Sequence, residues 1–533
     1  MIVFELALAL LLVAALLSLW ANHMGVPYPA LLALAGAILA LIPGTPQVRL
    51  DPELALALFV APVLLDAAYD ASPRDMRSNI GPILNLAFFG VILTTVAVAV
   101  VARWVMPQMP WAAAIVLGAI VSPPDASAAT AVLQRLRPPH RLLVILEGES
   151  LFNDATALLI FRIAALAAVT GTFAPGVAIT TLLLTGIGGV LGGFVLAQVV
   201  LWALGRVEDI QISVLLQFLS TFAVWIIAVR LGLSPIITMV TYAMCIARRA
   251  PSRVDGRRRI ASYAVWEVAV FVLNALAFLL IGLQLRGILE RIAPEELRTY
   301  LLFALAICAT VIVVRILWWM PYNALARWKL RGRVPGARHP TMLPTVGSGL
   351  VISWAGMRGI VTIAAALALP VAADGTQFPY RDLILLAAFG VVLGTLVLQG
   401  LTLGPLMRRV CLNPDTSVER EIGVARAETA RAALAALADS PDREAAEMLR
   451  REYQARLSLG EIEARESGAD LPESTLARLQ RAAVAAQRAA LDDLRRRELI
   501  GDDAFHAIEA EIDVLDLTAD RRIRPDSGGP ATA

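Results

Sequence analysis

The chain alternates long apolar stretches with short polar breaks. Thirteen stretches stand out, at 2–21, 26–43, 53–70, 80–106, 111–134, 141–170, 176–204, 211–230, 234–248, 262–287, 300–325, 345–373 and 381–408. Most exceed roughly 17 residues, enough for an α-helix to cross the hydrocarbon core of a bilayer. The breaks carry turn-forming residues such as Pro43-Gly44-Thr45-Pro46, Pro138-Pro139 and Pro335-Gly336. The pattern predicts an all-α integral membrane protein with about 13 spans. The N-terminal run 2–20 lacks the basic flank and cleavage site of a leader, so it reads as the first span.

Composition agrees: 58% of residues are hydrophobic, against roughly 45–50% in soluble domains. Charge adds orientation. Arginines cluster after span five (Arg135, Arg137, Arg141), after span nine (Arg248 to Arg259) and after span eleven (Arg327 to Arg338). Loops after even spans lack such clusters, and the richest, Arg286–Arg298, balances its arginines with Glu290, Glu295 and Glu296. The positive-inside rule then predicts an external N-terminus and a cytoplasmic C-terminus in the plasma (or inner) membrane. Residues 413–533 hold 17 Arg against 25 Asp and Glu, a net −8, so the first 412 residues carry +10 of the chain's net +2. That positive charge lies in loops and signals topology, not a nucleic-acid site. The three cysteines show no metal-ligand spacing, and no disulfide framework is expected.

Two spans are predicted to break. Span five contains Ser122-Pro123-Pro124-Asp125, where prolines remove two backbone donors and clash with the preceding turn. Span twelve contains Gly356-Met357-Arg358-Gly359, a charge framed by glycines. The two are seven spans apart and so run in opposite directions. Discontinuous helices at matching places in two inverted halves mark the binding site of a transporter. Spans one to six and eight to thirteen form the expected halves, joined by span seven.

The chemistry concentrates in Glu147-Gly148-Glu149-Ser150-Leu151-Phe152-Asn153-Asp154, within span six. Ser150 and Asp154 are four apart and share a helix face, with Asn153 beside it. A carboxylate, an amide oxygen and a hydroxyl are hard ligands for a small monovalent cation. An ionised Asp at membrane depth is poorly solvated, so a proton and a cation compete for Asp154, and that competition couples two fluxes. Asp125, in the opened part of span five, reads as an electrostatic partner or as the N-cap of the second half-helix. Glu149 and Arg358 are expected to form a buried structural ion pair, the alternative being that Arg358 guards a cavity. Asp66 lends a carboxylate to the access path or is simply solvated near the surface. The four histidines fall in predicted loops or the tail.

These residues resemble those of the bacterial monovalent cation:proton antiporter-1 family, the NhaP-like and sodium–hydrogen exchanger group. The matching stretches are Ile145–Asp154 with Ala155-Thr156-Ala157, Gly118–Thr130, and Gly356-Met357-Arg358-Gly359-Ile360-Val361, with Leu64–Ala68 and Asn274–Leu283 in support. The resemblance covers nearly all of 1–410. It implies that Asp154 carries the ion or proton, that Asn153, Ser150 and Asp125 belong to the ion site, and that Glu149 and Arg358 are structural. It also implies electroneutral exchange, because Asn153 is not a second Asp, and a homodimer in lipid, with no cofactor. Span five departs from the family's Thr-Asp-Pro, reading Pro124-Asp125-Ala126, and Asp66 replaces a usual Glu.

The expected function is exchange of sodium, or lithium, for protons. Potassium/proton exchange on the same fold is the alternative. An intramembrane aspartyl protease, suggested by Tyr69-Asp70, lacks the Gly-x-Gly-Asp element and leaves the broken helices unexplained. An ion channel is the third class. The domains read as 1–412 in the membrane, 413–524 a cytoplasmic helical region and 525–533 a disordered tail. Helices are expected at 419–437, 443–459, 473–497 and 502–517.

Overall fold

A computed structural model describes residues 2–24, 26–43, 45, 51–133, 138–170, 175–249, 256–331, 344–369, 378–410, 412, 415, 417–438, 443–465, 475–497, 508 and 512. The chain divides into two compact units, Met1–Asn413 and Pro414–Ala533.

The first unit is built from α1 (Ile2–Met24), α2 (Tyr28–Leu41), α3 (Pro52–Asp70), α4 (Pro73–Ser78), α5 (Ile80–Val105), α6 (Trp111–Val121), α7 (Ala126–Leu133) and α8 (His140–Thr170). It continues with α9 (Pro175–Leu204), α10 (Ile210–Arg230), α11 (Pro235–Arg249), α12 (Gly256–Leu289), α13 (Pro294–Arg331), α14 (Val346–Trp354), α15 (Ile360–Leu367) and α16 (Arg381–Val410). Among the described residues, ten segments are long and apolar enough to cross a membrane. Of the other three predicted spans, α2 and α11 are 14 and 15 residues long, and the twelfth is split into α14 and α15.

Burial sorts these segments. The apolar stretches of Trp111–Leu133 and Arg381–Val410 are 72% buried, against 22–44% for the other eight. The first broken span and the last helix therefore form the interior, and the others present apolar side chains outward. Such faces suit lipid, where helices gain nothing from hiding leucine and associate by close packing instead. The crossing of α2 and α12 shows this. A Cβ on Gly36 would collide with the Leu279 carbonyl, and one on Gly282 with the backbone of Ala33 and Ala37. Only glycine lets these two backbones touch.

Both predicted breaks are present. Helix α6 stops at Val121, residues 122–125 are not helical, and α7 starts at Ala126. Helix α14 is opened by a capping box between Thr345 and Ser348. It ends at Trp354, and α15 starts after Gly359. Two features were not predicted: single π-helical turns at Leu56–Val60 in α3 and Asn85–Gly90 in α5.

In the second unit, α17 (Ser417–Ala438) and α18 (Arg443–Arg465) form a helical hairpin, followed by α19 (Thr475–Arg496). Arg431 bridges Glu428 on its own helix and Glu461 on the next. Most of the predicted helix 502–517, and the whole tail 525–533, lie outside the described residues.

Candidate functional site

The two breaks are bonded to each other. The Asp125 amide donates to the Met357 carbonyl at 2.7 Å. A broken helix leaves carbonyls without partners at one end and N–H groups without partners at the other, and two side chains serve these ends.

Arg358 takes the carbonyl ends. Its Nε donates to Val121 O at 3.0 Å and Nη2 to Ser122 O at 3.3 Å, both at the close of α6. Nη1 donates to Gly356 O, just past α14. A cation is thereby held at two helix C-termini, where the helix dipoles favour it. Its own amide donates to Thr395 Oγ1 of α16 at 3.1 Å.

Asp125 serves the N–H end of α7 and adjoins that of α15. Its Oδ1 accepts from Ser127 N at 2.8 Å and Ser127 Oγ at 2.6 Å, capping α7. The other carboxylate oxygen lies against Gly359, the residue that opens α15, and a Cβ there would fall on it. The N-cap and electrostatic readings of Asp125 thus describe one arrangement.

Helix α8 runs past this crossing and presents its polar face to it. Asn153 Nδ2 donates to Pro124 O at 2.7 Å. Ser150 Oγ accepts from Ala126 N at 3.4 Å. Asp154 is 8% exposed, and its charge and that of Asp125 act on one another. The structure therefore gathers Asp154, Asn153, Ser150 and Asp125. Asn153 is fully buried, and its Oδ1 finds no hydrogen-bond partner among the described residues. An unpaired amide oxygen, two carboxylates and a hydroxyl make an all-oxygen donor set suited to a hard cation.

Asp66 stands elsewhere. It is half-buried on α3, and the charges that act on it are Asp70 and Glu267. Glu147 also feels Asp70. These acids collect near the ends of α3, α8 and α12 that the loop charges assign to the cytoplasm.

The expected Glu149–Arg358 pair is not what forms. Glu149, 1% exposed, accepts from Arg315 Nη1 at 2.5 Å and Nη2 at 2.7 Å, a bidentate bond from α13. Arg358 needs no carboxylate because the backbone carbonyls at the breaks supply its acceptors. Arg315 was missed, although the signal was available: it interrupts the apolar run 311–318 as Arg358 interrupts its own. A small cavity lined by Ser122, Pro124, Glu149, Arg315, Trp318 and Arg358 adjoins the pair.

Comparison with known proteins decides the family. The model of the family described as "Sodium/hydrogen exchanger, transmembrane" matches residues 8–409. The chain belongs to the sodium/hydrogen exchanger family. An uncharacterised Na(+)/H(+) exchanger of Mycobacterium bovis is 32% identical over 532 residues, covering 97% of this chain and 96% of that one. A sodium, potassium, lithium and rubidium/H(+) antiporter of Bacillus pumilus is 31% identical over 413 residues, covering 74% of this chain and 60% of that one. The sodium proton antiporter MjNhaP1 from Methanocaldococcus jannaschii shares the fold, with a TM-score of 0.58 at 16% identity over 77% of this chain and 99% of that one. This exchanger is thus a multi-pass membrane transporter, and the protease reading is set aside.

Proposed function

We propose that this exchanger swaps sodium for protons across the cell membrane, one for one, with Asp154 as the shared carrier. One observation carries the reading. Asp154 is buried, and no Arg or Lys pairs with it among the described residues. The two buried arginines nearby are committed, Arg315 to Glu149 and Arg358 to helix-end carbonyls. A buried carboxylate without a fixed counter-charge must be neutralised by something mobile. A proton does this, and so does a partly dehydrated cation held also by Ser150, Asn153 and Asp125. Either occupant excludes the other, so each crossing exchanges one for the other. Asp66 lies on the approach. The protein acts as a homodimer with its N-terminus outside and residues 413–524 in the cytoplasm.

Proteoliposomes with an internal pH dye test this. Wild type is expected to move protons in response to a sodium gradient. Asp154→Asn is expected to abolish that flux while keeping the wild-type melting temperature. Normal flux in Asp154→Asn would overturn the carrier assignment. A second reading, potassium for protons, has support in the Bacillus pumilus relative, whose name includes potassium. Running the assay with each cation separates the two.

A further inference from the structure

Helix α16 packs against all four half-helices, α6, α7, α14 and α15. Thr395, midway along it, is fully buried. Its Oγ1 donates to Val391 O at 2.8 Å, with Val392 O at 3.2 Å. A threonine inside an apolar helix often satisfies its hydroxyl this way, by turning it back on the preceding turn. That bond uses only the hydroxyl hydrogen, and the oxygen keeps its lone pairs. Here the oxygen has a second partner. It accepts the Arg358 amide at 3.1 Å, across the contact with the second break.

That amide belongs to the peptide group joining Met357 to Arg358, in the non-helical stretch 355–359. The carbonyl of the same peptide accepts the Asp125 amide at 2.7 Å. The C=O and N–H of a trans peptide lie in one plane and point opposite ways. The peptide is therefore held from both sides, by Asp125 and by Thr395. Three hydrogen bonds run in series: Asp125 N to Met357 O, Arg358 N to Thr395 Oγ1, and Thr395 Oγ1 to Val391 O. Bonds in such a chain polarise and strengthen one another. Met357, Arg358 and Thr395 are all buried, so bulk water does not stand in for a bond lost from the series. The far end of the series is the backbone of Asp125, which carries one carboxylate of the ion site. The next amide, that of Ala126, holds Ser150 Oγ.

We propose that Thr395 is a positioning residue for the ion site: its hydroxyl fixes the Met357–Arg358 peptide, and that peptide fixes Asp125. The proposal rests on the exchanger reading. Thr395 itself touches no ion. Without its oxygen the Arg358 N–H has no acceptor, the peptide is free to tilt, and the carbonyl at its other side no longer holds Asp125 in one place. The donors at Asp125 and Ser150 are then less well ordered for a cation, while Asp154 and its proton are left as they were.

The test uses the full chain in proteoliposomes, with Thr395→Val, Thr395→Cys and Thr395→Ser, and whichever cation drives wild-type exchange. Valine keeps the shape and removes the oxygen. Cysteine replaces it with sulfur, a weak acceptor, and serine keeps it. The apparent KM for the cation is expected to rise about fivefold or more in Thr395→Val and in Thr395→Cys, with the maximal rate within about twofold of wild type. Thr395→Ser is expected to stay within about twofold of wild type in both. Thr395→Val should also melt lower, because a buried N–H is left unpaired, but the melting temperature alone does not decide. A wild-type KM in the valine and cysteine variants, whatever their stability, would show a purely structural hydroxyl and overturn the proposal. So would a serine variant as impaired as valine, or failure of both valine and cysteine variants to fold. Should valine alone fail to fold, the cysteine variant decides. Absence of cation-driven flux in wild type would instead sink the exchanger reading, and this proposal with it.

Discussion

Removal of Arg315 tests the revised ion pair. Arg315→Leu strands Glu149, which is 1% exposed and held by two bonds of 2.5 and 2.7 Å. Breaking a buried pair from one side costs about 3–5 kcal/mol, because the remaining charge is left uncompensated. That is a hundredfold or more, roughly, in the folded-to-unfolded ratio. Arg358 cannot take over freely, since turning toward Glu149 would release the carbonyls of Val121, Ser122 and Gly356. Each such charged bond is worth about 1.5–3 kcal/mol. Replacing both partners is different. A buried pair exchanged for apolar residues of similar size is often neutral or stabilising, by about 1–4 kcal/mol. Glu149→Leu combined with Arg315→Leu is therefore expected to recover most of the loss. Glu149→Leu combined with Arg358→Leu should remain as unstable as Arg358→Leu, because the helix-end carbonyls stay unpaired. Dye-reported melting of the purified protein in detergent ranks the four variants and wild type. Rescue of Arg358→Leu by Glu149→Leu, without rescue of Arg315→Leu, would refute the pairing.

Two other outcomes follow from the geometry. Gly359→Ala places a methyl group on the Asp125 carboxylate, so sodium-driven flux should fall at least about tenfold; a fully active variant would show that Asp125 can move without consequence. Outside the membrane, burial alone would raise the Asp75 carboxyl, but Ser72, His140 and Arg74 together hold it below the usual range. A depressed carboxylate contributes stability that is present above its unfolded pKa and is lost as pH falls through the depressed value. Melting temperatures at about pH 6 and about pH 3 should therefore differ less in Asp75→Asn than in wild type; an unchanged difference would exclude Asp75 from the acid limb.

Much of the membrane fold was legible because lipid imposes one rule, that every backbone group be satisfied within the segment. Apolar runs then mark helices, and Pro123-Pro124 and the Gly356–Gly359 pair mark where the rule is relaxed. The cluster of Asn153, Asp154 and Ser150 was legible for a related reason, since polar residues are costly at that depth. Partnership was not. An arginine in an apolar run announces that it needs acceptors, but spacing does not say whether they are carboxylate or carbonyl. Arg358 found carbonyls and Arg315 found Glu149. The π-turns at 56–60 and 85–90 also left no sign, because a single inserted residue does not disturb the apolar pattern.

The crossing is fastened through main-chain atoms: Pro124 O to Asn153, Asp125 N to Met357 O, Ala126 N to Ser150. A carbonyl is available from every residue, proline included, so position 124 can change identity while its bond to Asn153 persists. Position 126 can change only among residues that carry an N–H, and Ala126 makes a bond to Ser150 that a proline there could not. Lengthening or shortening the segment by a single residue is another matter, since it would carry every one of those atoms out of register at once.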